Sequence, residues 1–215
     1  MLRRLKILGT AVAAVVLMAG SAHAATVIDF STGLAGEGGT ITWDGTNLIG
    51  SNIPIGAVTI VGAPTGNGVF TVSGTASGSG GSGFGSLDFN TGTNDITIMG
   101  CISGLSVGTD SGQCVPVDLV DGTFTSWSTN GHGLTSAFGI DTKDAELLAA
   151  INWPADLPWE FFGVSVTTDT MAPNGTPYAA ISTDIKNTAV PEPTTMILLG
   201  TGLLAAFRAR RRQQA

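Results

Sequence analysis

The sequence predicts an all-β protein, an antiparallel β-sandwich or jelly-roll-like single domain with one short helix. Two observations point to this class. Apolar and polar residues alternate in many short runs, and clusters of glycine, asparagine and aspartate separate those runs. A third observation bounds the domain: an apolar segment lies near each end of the chain, which predicts an N-terminal signal and a C-terminal hydrophobic helix outside the sandwich.

The strand prediction rests on a period of two. Side chains of a half-buried strand face the core and the solvent in turn, so apolar residues recur at every second position. Roughly ten short strands at this spacing are typical of a sandwich or jelly roll. The clearest examples are Val58 with Ile60, Phe70 with Val72, Leu87 with Phe89, Ile96 with Ile98, Phe162 with Val164 and Val166, and Ile181 with Ile185.

Turn signals separate these runs. Glycine permits left-handed backbone, and asparagine and aspartate side chains hydrogen-bond to the backbone nearby, so short clusters of them mark chain reversals. The predicted turns are Asp44-Gly45, Gly66-Asn67-Gly68, Asn90-Thr91-Gly92, Asp121-Gly122 and Asn130-Gly131-His132-Gly133.

One segment, Asp141 to Ile151, predicts a short helix instead. Leu147, Leu148 and Ile151 fall on one face at helical spacing. Either Asp141 or Thr142 is expected to cap its N-terminus, and Pro154 is expected to end it. We expect this helix to close one end of the sandwich.

The N-terminus predicts export. A positive segment with Arg3, Arg4 and Lys6 precedes the apolar run Ile7 to Gly20. Ala22 and Ala24 then form a small-x-small cleavage site, so residues 1–24 are a predicted signal peptide and signal peptidase a predicted partner. The alternative is an uncleaved anchor, for which the apolar run is short.

The other apolar segment has three parts in a fixed order. An acidic turn, Val190-Pro191-Glu192-Pro193, precedes the apolar run Thr194 to Phe207. The basic residues Arg208, Arg210, Arg211 and Arg212 follow it. Positive charge favours the cytoplasmic side of a membrane, so this segment predicts a transient inner-membrane anchor that is later removed.

These three parts resemble the PEP-CTERM sorting signal of Gram-negative bacteria that make exopolysaccharide. The likeness includes Val190-Pro191-Glu192-Pro193, the run Leu198-Leu199-Gly200-x-Gly202-Leu203 and the arginines. The resemblance implies that a membrane-embedded exosortase recognises the Pro-Glu-Pro element and removes the tail, leaving the protein at the cell surface or outside the cell. It divides the chain into residues 1–24, a mature domain at 25–189 and a sorting signal at 190–215. The resemblance implies a destination and no activity.

The mature domain is strongly acidic. Between residues 25 and 189 only Lys143 and Lys186 are basic, against fifteen acidic residues, which gives a net charge near −13. Such a surface repels nucleic acid, which binds through Lys and Arg, and anionic membranes. It suits a soluble secreted protein that meets cations or neutral polymers.

Cys101 and Cys114 are the two cysteines of the chain. Both are expected to reach an oxidising compartment, so we predict a disulfide between them. In the chain-entropy model such a short loop contributes roughly 3 kcal/mol. The alternatives are two free thiols or a nucleophilic cysteine.

Motifs that resemble catalytic or binding sites favour structural interpretations. Gly78-x-Gly80-x-x-Gly83 matches a dinucleotide fingerprint by letter, but strand-like residues follow it, so a hairpin loop is expected. His132 lies between two glycines on a predicted loop and lacks an orienting neighbour. The run Asp88 to Asp95 offers calcium-type oxygens but departs from the EF-hand, so an Asp/Asn turn is favoured. No metal, no cofactor and no catalytic residue is predicted.

The sequence thus favours an exported noncatalytic surface or extracellular-matrix protein, not an enzyme. One alternative is a carbohydrate-binding module for exopolysaccharide. A less favoured alternative is a secreted hydrolase. The carbohydrate reading needs aromatic side chains on one open face, for which the candidates are Trp43, Trp127, Trp153, Trp159 and Tyr178.

Overall fold

β-strands provide most of the regular structure in the described part of the chain. The computed structural model describes residues 26–129, 133–155, 159–168 and 178–189, together with Gly202 and Arg210. The strands are β1 Val27–Ser31, β2 Gly38–Trp43, β3 Leu48–Ile55, β4 Ala57–Val61, β5 Gly68–Thr71, β6 Ser73–Gly78, β7 Gly81–Asn90, β8 Asp95–Gly100, β9 Thr109–Asp110, β10 Gln113–Cys114, β11 Val117–Thr129, β12 Gly133–Lys143, β13 Trp159–Thr167, β14 Tyr178–Ala180 and β15 Ser182–Ala189. The α-helix α1 spans Ala145–Ala150, and short 3-10 helices span Gly33–Ala35 and Ser103–Leu105. The all-β prediction with one short helix is confirmed for these residues.

Thirteen of the strands form one antiparallel sheet. Its order is β14-β2-β3-β7-β8-β11-β12-β13-β15-β1-β4-β5, with β6 pairing with β2 and β7. The strands β9 and β10 form a separate two-stranded ribbon. The layers of the predicted sandwich are therefore parts of one continuous sheet.

The sheet folds back on itself at Gly56. This residue alone separates β3 from β4, yet β3 and β4 lie near opposite ends of the strand order. Its N–H is 3.1 Å from the carbonyl oxygens of both Ser31 and Thr32. A Cβ there would come within 2.5 Å of the Thr32 oxygen, so only glycine fits this corner. Strands that bend from one part of a sheet to another are typical of sheets folded in this way.

The core lies on the enclosed face of this sheet. Ile28 and Phe30 of β1, Leu87 of β7 and Val164 of β13 are among its buried side chains. The aromatic rings of Phe89, Phe124 and Phe161 meet edge to face across three strands, with centroids 6.4 and 5.6 Å apart. Edge-to-face contacts of this kind add to the gain from burial.

Two local predictions need correction. Asp121-Gly122 is not a turn but lies inside β11, where Gly122 pairs with Asp141. Asp141 does not cap the helix, because residues up to Lys143 continue β12. The cap is Asp144, whose Oδ1 accepts hydrogen bonds from the N–H groups of Glu146 and Leu147 at 2.7 and 3.2 Å. Pairing with β11 and β13 extends the strand, and this overrides the local helical preference of the segment.

The register of β13 also differs from the simple alternation. A bulge between Phe161 and Gly163 shifts the strand by one residue against β15. Phe161 is therefore buried together with Val164 and Val166. The bulge explains why the period-two pattern alone does not place Phe161 in the core.

The sorting junction and the polar clusters of strand β15

The first and last strands of the domain run side by side. β1 pairs antiparallel with β15, with Val27 opposite Thr188. The N–H of Ala189 donates to the carbonyl oxygen of Thr26 at 3.3 Å. Consequently the chain enters and leaves the domain at one end, which we call the near end. Trp159 and the last residues of β12 also lie there, since Trp159 pairs with both Ala189 and Asp141.

The opposite, or far, end carries the β11–β12 hairpin, where Thr129 pairs with Leu134. His132 belongs to the connection in this hairpin and lies outside the described residues. The start of β15 also lies at the far end, because Ser182 pairs with Thr167. The near end thus holds the first and last residues of the folded domain, whereas the far end is formed by connections between strands.

Most residues predicted to direct export and sorting lie outside the described part of the chain. They are Ala22, Ala24, Val190, Pro191, Glu192, Pro193, Arg208, Arg211 and Arg212. Arg210 is described and exposed. Within the described residues, no helix has the length and apolar character that crossing a membrane requires. The predicted sorting segment starts at Val190, directly after the last residue of β15.

A buried polar cluster lies on the enclosed face of the sheet beside this junction. We call Asp141, Lys143 and Asn187 the inner cluster. Lys143 Nζ donates to Asp141 Oδ1 at 2.5 Å and to Asn187 Oδ1 at 3.0 Å. The side chains of Asp141 and Lys143 are fully buried, and Asn187 is 0 % exposed. The inner cluster joins β12 to β15 across the intervening strand β13.

The orientation of the Asn187 amide is fixed by its second set of contacts. Asn187 Nδ2 donates to the carbonyl oxygens of Ile28 at 3.2 Å and Ile185 at 3.3 Å. A flipped amide would set its oxygen against these carbonyl oxygens and its NH₂ group against the amine. The amide oxygen therefore faces Lys143 Nζ.

Burial acts against both charges of the inner pair. It raises the pKa of Asp141, opposed by the nearby Lys143. It lowers the pKa of Lys143 to about 8, opposed by Asp141. Moving the proton from the amine to the carboxylate gives a neutral pair, which a buried site tolerates better than two separate charges. Oδ2 of Asp141 is buried and has no hydrogen-bond partner among the described residues.

The neighbours of the inner cluster are shaped to enclose it. The indole of Trp159 lies 5.3 Å from Lys143 Nζ, measured to the ring centroid, and is itself 1 % exposed. Gly122 lies against Asp141, and a Cβ at this position would be 2.8 Å from Asp141 Cβ. Gly122 therefore provides the space that the Asp141 side chain occupies.

A second polar cluster lies on the face of β15 opposite to Asn187 and includes one residue of the neighbouring strand β1. We call Asp29, Asp184 and Lys186 the outer cluster. Lys186 Nζ donates to Asp184 Oδ2 at 2.9 Å, with the two side chains 42 % and 47 % exposed. Partial burial and the neighbouring Asp184 raise the pKa of Asp29 to about 6. Partial burial works to raise the pKa of Asp184, but hydrogen bonds from Lys186 and Asp29 lower it overall.

The predicted disulfide between Cys101 and Cys114 is present, with the Cα atoms 5.7 Å apart. It connects the segment after β8 to the β9–β10 ribbon. Glu146 of α1 holds the same loop, because its Oε2 accepts a hydrogen bond from the Gly108 N–H at 2.7 Å. The pairing makes both cysteines structural.

The glycine motif at residues 78–83 and the run Asp88 to Asp95 both lie at turns between strands. Gly78 pairs with Gly81 across the β6–β7 hairpin, and no helix follows the glycines. In the β7–β8 turn, Asp88 Oδ1 accepts from the Asn52 N–H at 2.9 Å and Asn90 Oδ1 from the Gly92 N–H at 2.8 Å. Beside it lies a shallow depression of about 240 Å³. Within the described ranges, no three His, Cys, Asp or Glu side chains converge as metal ligands.

The candidate aromatic side chains do not form one open row. Trp159 is buried, and its ring centroid lies 5.8 Å from that of the partly buried Trp153. Trp43 and Trp127 are also partly buried and pack against the core. The open face of Trp43, Trp153 and Trp159 that a sugar platform requires is therefore not formed.

Sequence reasoning did not single out Asp141 and Asn187 as a polar site. One signal was available in β12, where Ala137, Gly139, Asp141 and Lys143 alternate with Phe138 and Ile140. In this half of the strand the two large apolar residues are exposed, at 48 % for Phe138 and 57 % for Ile140. Such an inverted pattern indicates that the small and polar residues face the interior. Nothing in the sequence pairs Lys143 with Asn187.

Comparison with known proteins assigns the segment that follows β15. The family model described as the PEP-CTERM protein-sorting motif matches residues 189–212. No curated protein and no solved structure matches the chain. The match begins at the last residue of β15, so the folded domain leads directly into the matched segment. The chain is therefore an exported protein with a PEP-CTERM protein-sorting motif, the signal that an exosortase processes.

Proposed function

We propose that the mature domain is a noncatalytic protein of the cell surface or extracellular matrix. Its PEP-CTERM tail holds it transiently in the inner membrane until an exosortase removes the tail. The observation that carries this proposal is the position of the chain ends. Thr26 and Ala189 meet at the near end, so a domain attached by its tail is held there and presents its far end away from the membrane.

The charge of the domain supports the same role. Its two lysines are both engaged with aspartates, Lys143 with Asp141 and Lys186 with Asp184. The remaining charge of residues 25–189 is acidic. This surface disfavours anionic polymers and membranes, and it suits a soluble protein among neutral polysaccharide or cations.

Replacing Pro191, Glu192 and Pro193 together by alanine tests the sorting step. We expect export to continue and tail removal to fail, because the signal peptide and the tail act separately. The matched control replaces Thr194 and Thr195 by alanine, next to the motif. Mass spectrometry of the released protein measures the outcome. Native released protein that still carries Arg208 to Ala215 would contradict the proposal.

A second experiment tests the orientation. A short epitope inserted between Thr129 and Gly133 at the far end should bind antibody on intact cells while the protein is held by its tail. The same epitope inserted after Asn152, next to α1 at the near end, serves as the control and should be shielded. Equal accessibility of the two epitopes would argue against presentation by the far end.

A third experiment tests the noncatalytic role. A glycan array with and without calcium should give no specific binding, and His132→Ala should change no property beyond the loop. Specific glycan binding would favour the carbohydrate-binding alternative. A hydrolytic activity lost in His132→Ala would favour the hydrolase alternative.

A further inference from the structure

The inner cluster contains three groups that can react with one another. A primary amine, a carboxyl group and a primary amide meet in a fully enclosed site, with Lys143 Nζ in contact with the other two. We propose that Lys143 and Asn187 form an intramolecular isopeptide bond, with Asp141 as the catalytic acid–base. The bond would join β12 covalently to β15, the strand that leads into the sorting motif.

The arrangement of the amide favours attack by the amine. Lys143 Nζ lies 3.0 Å from Asn187 Oδ1, the oxygen bonded to the electrophilic carbon Cγ. The hydrogen bonds from Nδ2 to Ile28 and Ile185 hold the amide so that this carbonyl faces the amine. Reacting groups held together in this way need no further ordering, which lowers the barrier of an otherwise slow aminolysis.

Asp141 is placed to move the proton. Its Oδ1 contacts the amine at 2.5 Å, and its Oδ2 is buried without a partner among the described residues. A fixed ion pair at such a depth would leave this oxygen unsatisfied at a cost. The carboxylate can instead take the proton from Nζ and return a proton to the leaving nitrogen once the Nζ–Cγ bond has formed. Burial favours the neutral amine that this step needs, because it lowers the pKa of Lys143 to about 8.

The reaction balances without any further reagent. The lone pair of neutral Nζ attacks Cγ of Asn187, forming the Nζ–Cγ bond while the carbonyl electrons move to Oδ1. Asp141 accepts a proton from Nζ and gives a proton to Nδ2. The carbonyl re-forms, the Cγ–Nδ2 bond breaks, and ammonia leaves. Amine and primary amide thus become a secondary amide and ammonia, with no change in oxidation state and with Asp141 regenerated.

The consequence is a covalent brace at the base of the tail. Asn187 lies three residues before Val190, the first residue of the predicted sorting turn. The bond would close a loop between residues 44 positions apart, in addition to the shorter loop closed by the disulfide. A domain held in the membrane by one strand would then resist having that strand pulled out of its sheet.

Intact mass tests the proposal directly. The full chain is purified in detergent, incubated at mildly alkaline pH, denatured and reduced. We expect a mass one ammonia below that of the sequence, and a proteolytic product in which the peptides containing Lys143 and Asn187 are joined. Folded wild-type protein with the full sequence mass would overturn the proposal. Loss of ammonia without joined peptides, as in succinimide formation at Asn187, would also overturn it.

Substitutions at Lys143 and Asp141 test the role of each residue in forming the bond. Lys143→Met and Asp141→Ala should restore the full mass and abolish the joined peptide. Lys186→Met, the matched control on the outer face of β15, should keep both the mass loss and the joined peptide. Circular dichroism establishes that each variant is folded, and the wild-type measurement decides the matter if Asp141→Ala does not fold. A joined peptide in folded Asp141→Ala would refute the role of Asp141.

Discussion

Two lysine–aspartate pairs of this domain share one sequence pattern and lie in opposite environments. Asp141 and Lys143 are two residues apart in β12, and Asp184 and Lys186 have the same spacing in β15. The first pair has no exposed side-chain surface, whereas the second is nearly half exposed. The same two residue types therefore form an enclosed reactive cluster in one place and a solvated ion pair in the other.

The comparison shows how burial changes the chemistry of a lysine. Burial lowers the pKa of Lys143, while the hydrogen bond to Asp184 raises the pKa of Lys186. Removing a partner from a buried pair leaves an uncompensated charge, whereas an exposed pair exchanges its partner for water. The three predictions that follow test this difference, from the largest expected effect to the smallest.

Lys143→Met and Lys186→Met should differ most in stability. We expect Lys143→Met to lower the free energy of unfolding by about 3–5 kcal/mol, because it leaves the Asp141 carboxyl group buried without its partner. Lys186→Met should change it by less than about 1 kcal/mol, because its site is exposed to solvent. Chemical denaturation with the disulfide intact measures both. Equal losses would contradict the contrast between the two faces.

Gly122→Ala and Gly163→Ala should differ in stability as well, because the two glycines lie beside the inner and the outer pair. A Cβ at Gly122 would lie 2.8 Å from Asp141 Cβ and 3.0 Å from the Ile140 carbonyl oxygen. We expect a loss of roughly 1–3 kcal/mol from this overpacking. At Gly163, which pairs with Lys186, the nearest neighbour of a Cβ would be Lys186 Cβ at 4.0 Å. Gly163→Ala should stay within about 0.5 kcal/mol of wild type.

Thermal denaturation of both variants beside wild type measures this second contrast. A loss in Gly163→Ala as large as that in Gly122→Ala would show that the outer side of the sheet is packed as tightly as the inner side.

Asp29→Asn should give the smallest effect, and one that depends on pH. The pKa of Asp29 is raised to about 6 from an ordinary value of 3.8, so the folded state binds its proton more tightly than the unfolded state. The stabilisation from this group is complete below 3.8 and is lost as the pH rises through about 6. Asp184, whose pKa is lowered, contributes in the opposite direction and is present in both proteins.

Relative to wild type, Asp29→Asn should therefore be more stable well above pH 6 and lose this advantage as the pH falls. The effect should be less than about 1 kcal/mol, because the site is only partly buried and solvent screens its charges. Melting temperatures of the two proteins across this pH range measure the difference. A constant difference at all pH values would contradict the raised pKa of Asp29.

Several elements could be predicted because their signals are local. The alternation of Leu87 with Phe89 and of Ile96 with Ile98 identifies β7 and β8, and the Asn90-Thr91-Gly92 turn between them joins two strands as expected. The helix was predicted with its buried residues Leu147 and Leu148. Its start was misplaced, because Asp141 and Asp144 are equally good caps in a sequence and only strand pairing distinguishes them.

The candidate sites also divide into those with a local sequence signal and those that only strand pairing brings together. The sorting motif is a linear signal, so its prediction needed only the order of residues 190–215, and the family match to residues 189–212 confirms it. The disulfide could be inferred from two cysteines and an oxidising destination. The inner cluster could not, because Asn187 is 44 residues from Lys143 and reaches it through the pairing of β12, β13 and β15.

By itself, then, the sequence determined what depends on neighbours along the chain: the strands and most turns, the cysteine pair, the acidic surface and the sorting tail. The tertiary structure alone decided which of two identical Asp-x-Lys patterns is enclosed. Successive side chains of a strand alternate between faces, and only the partners of a strand decide which face becomes the interior. The fold of the sheet at Gly56 encloses one face, and with it Lys143, Asp141 and Asn187.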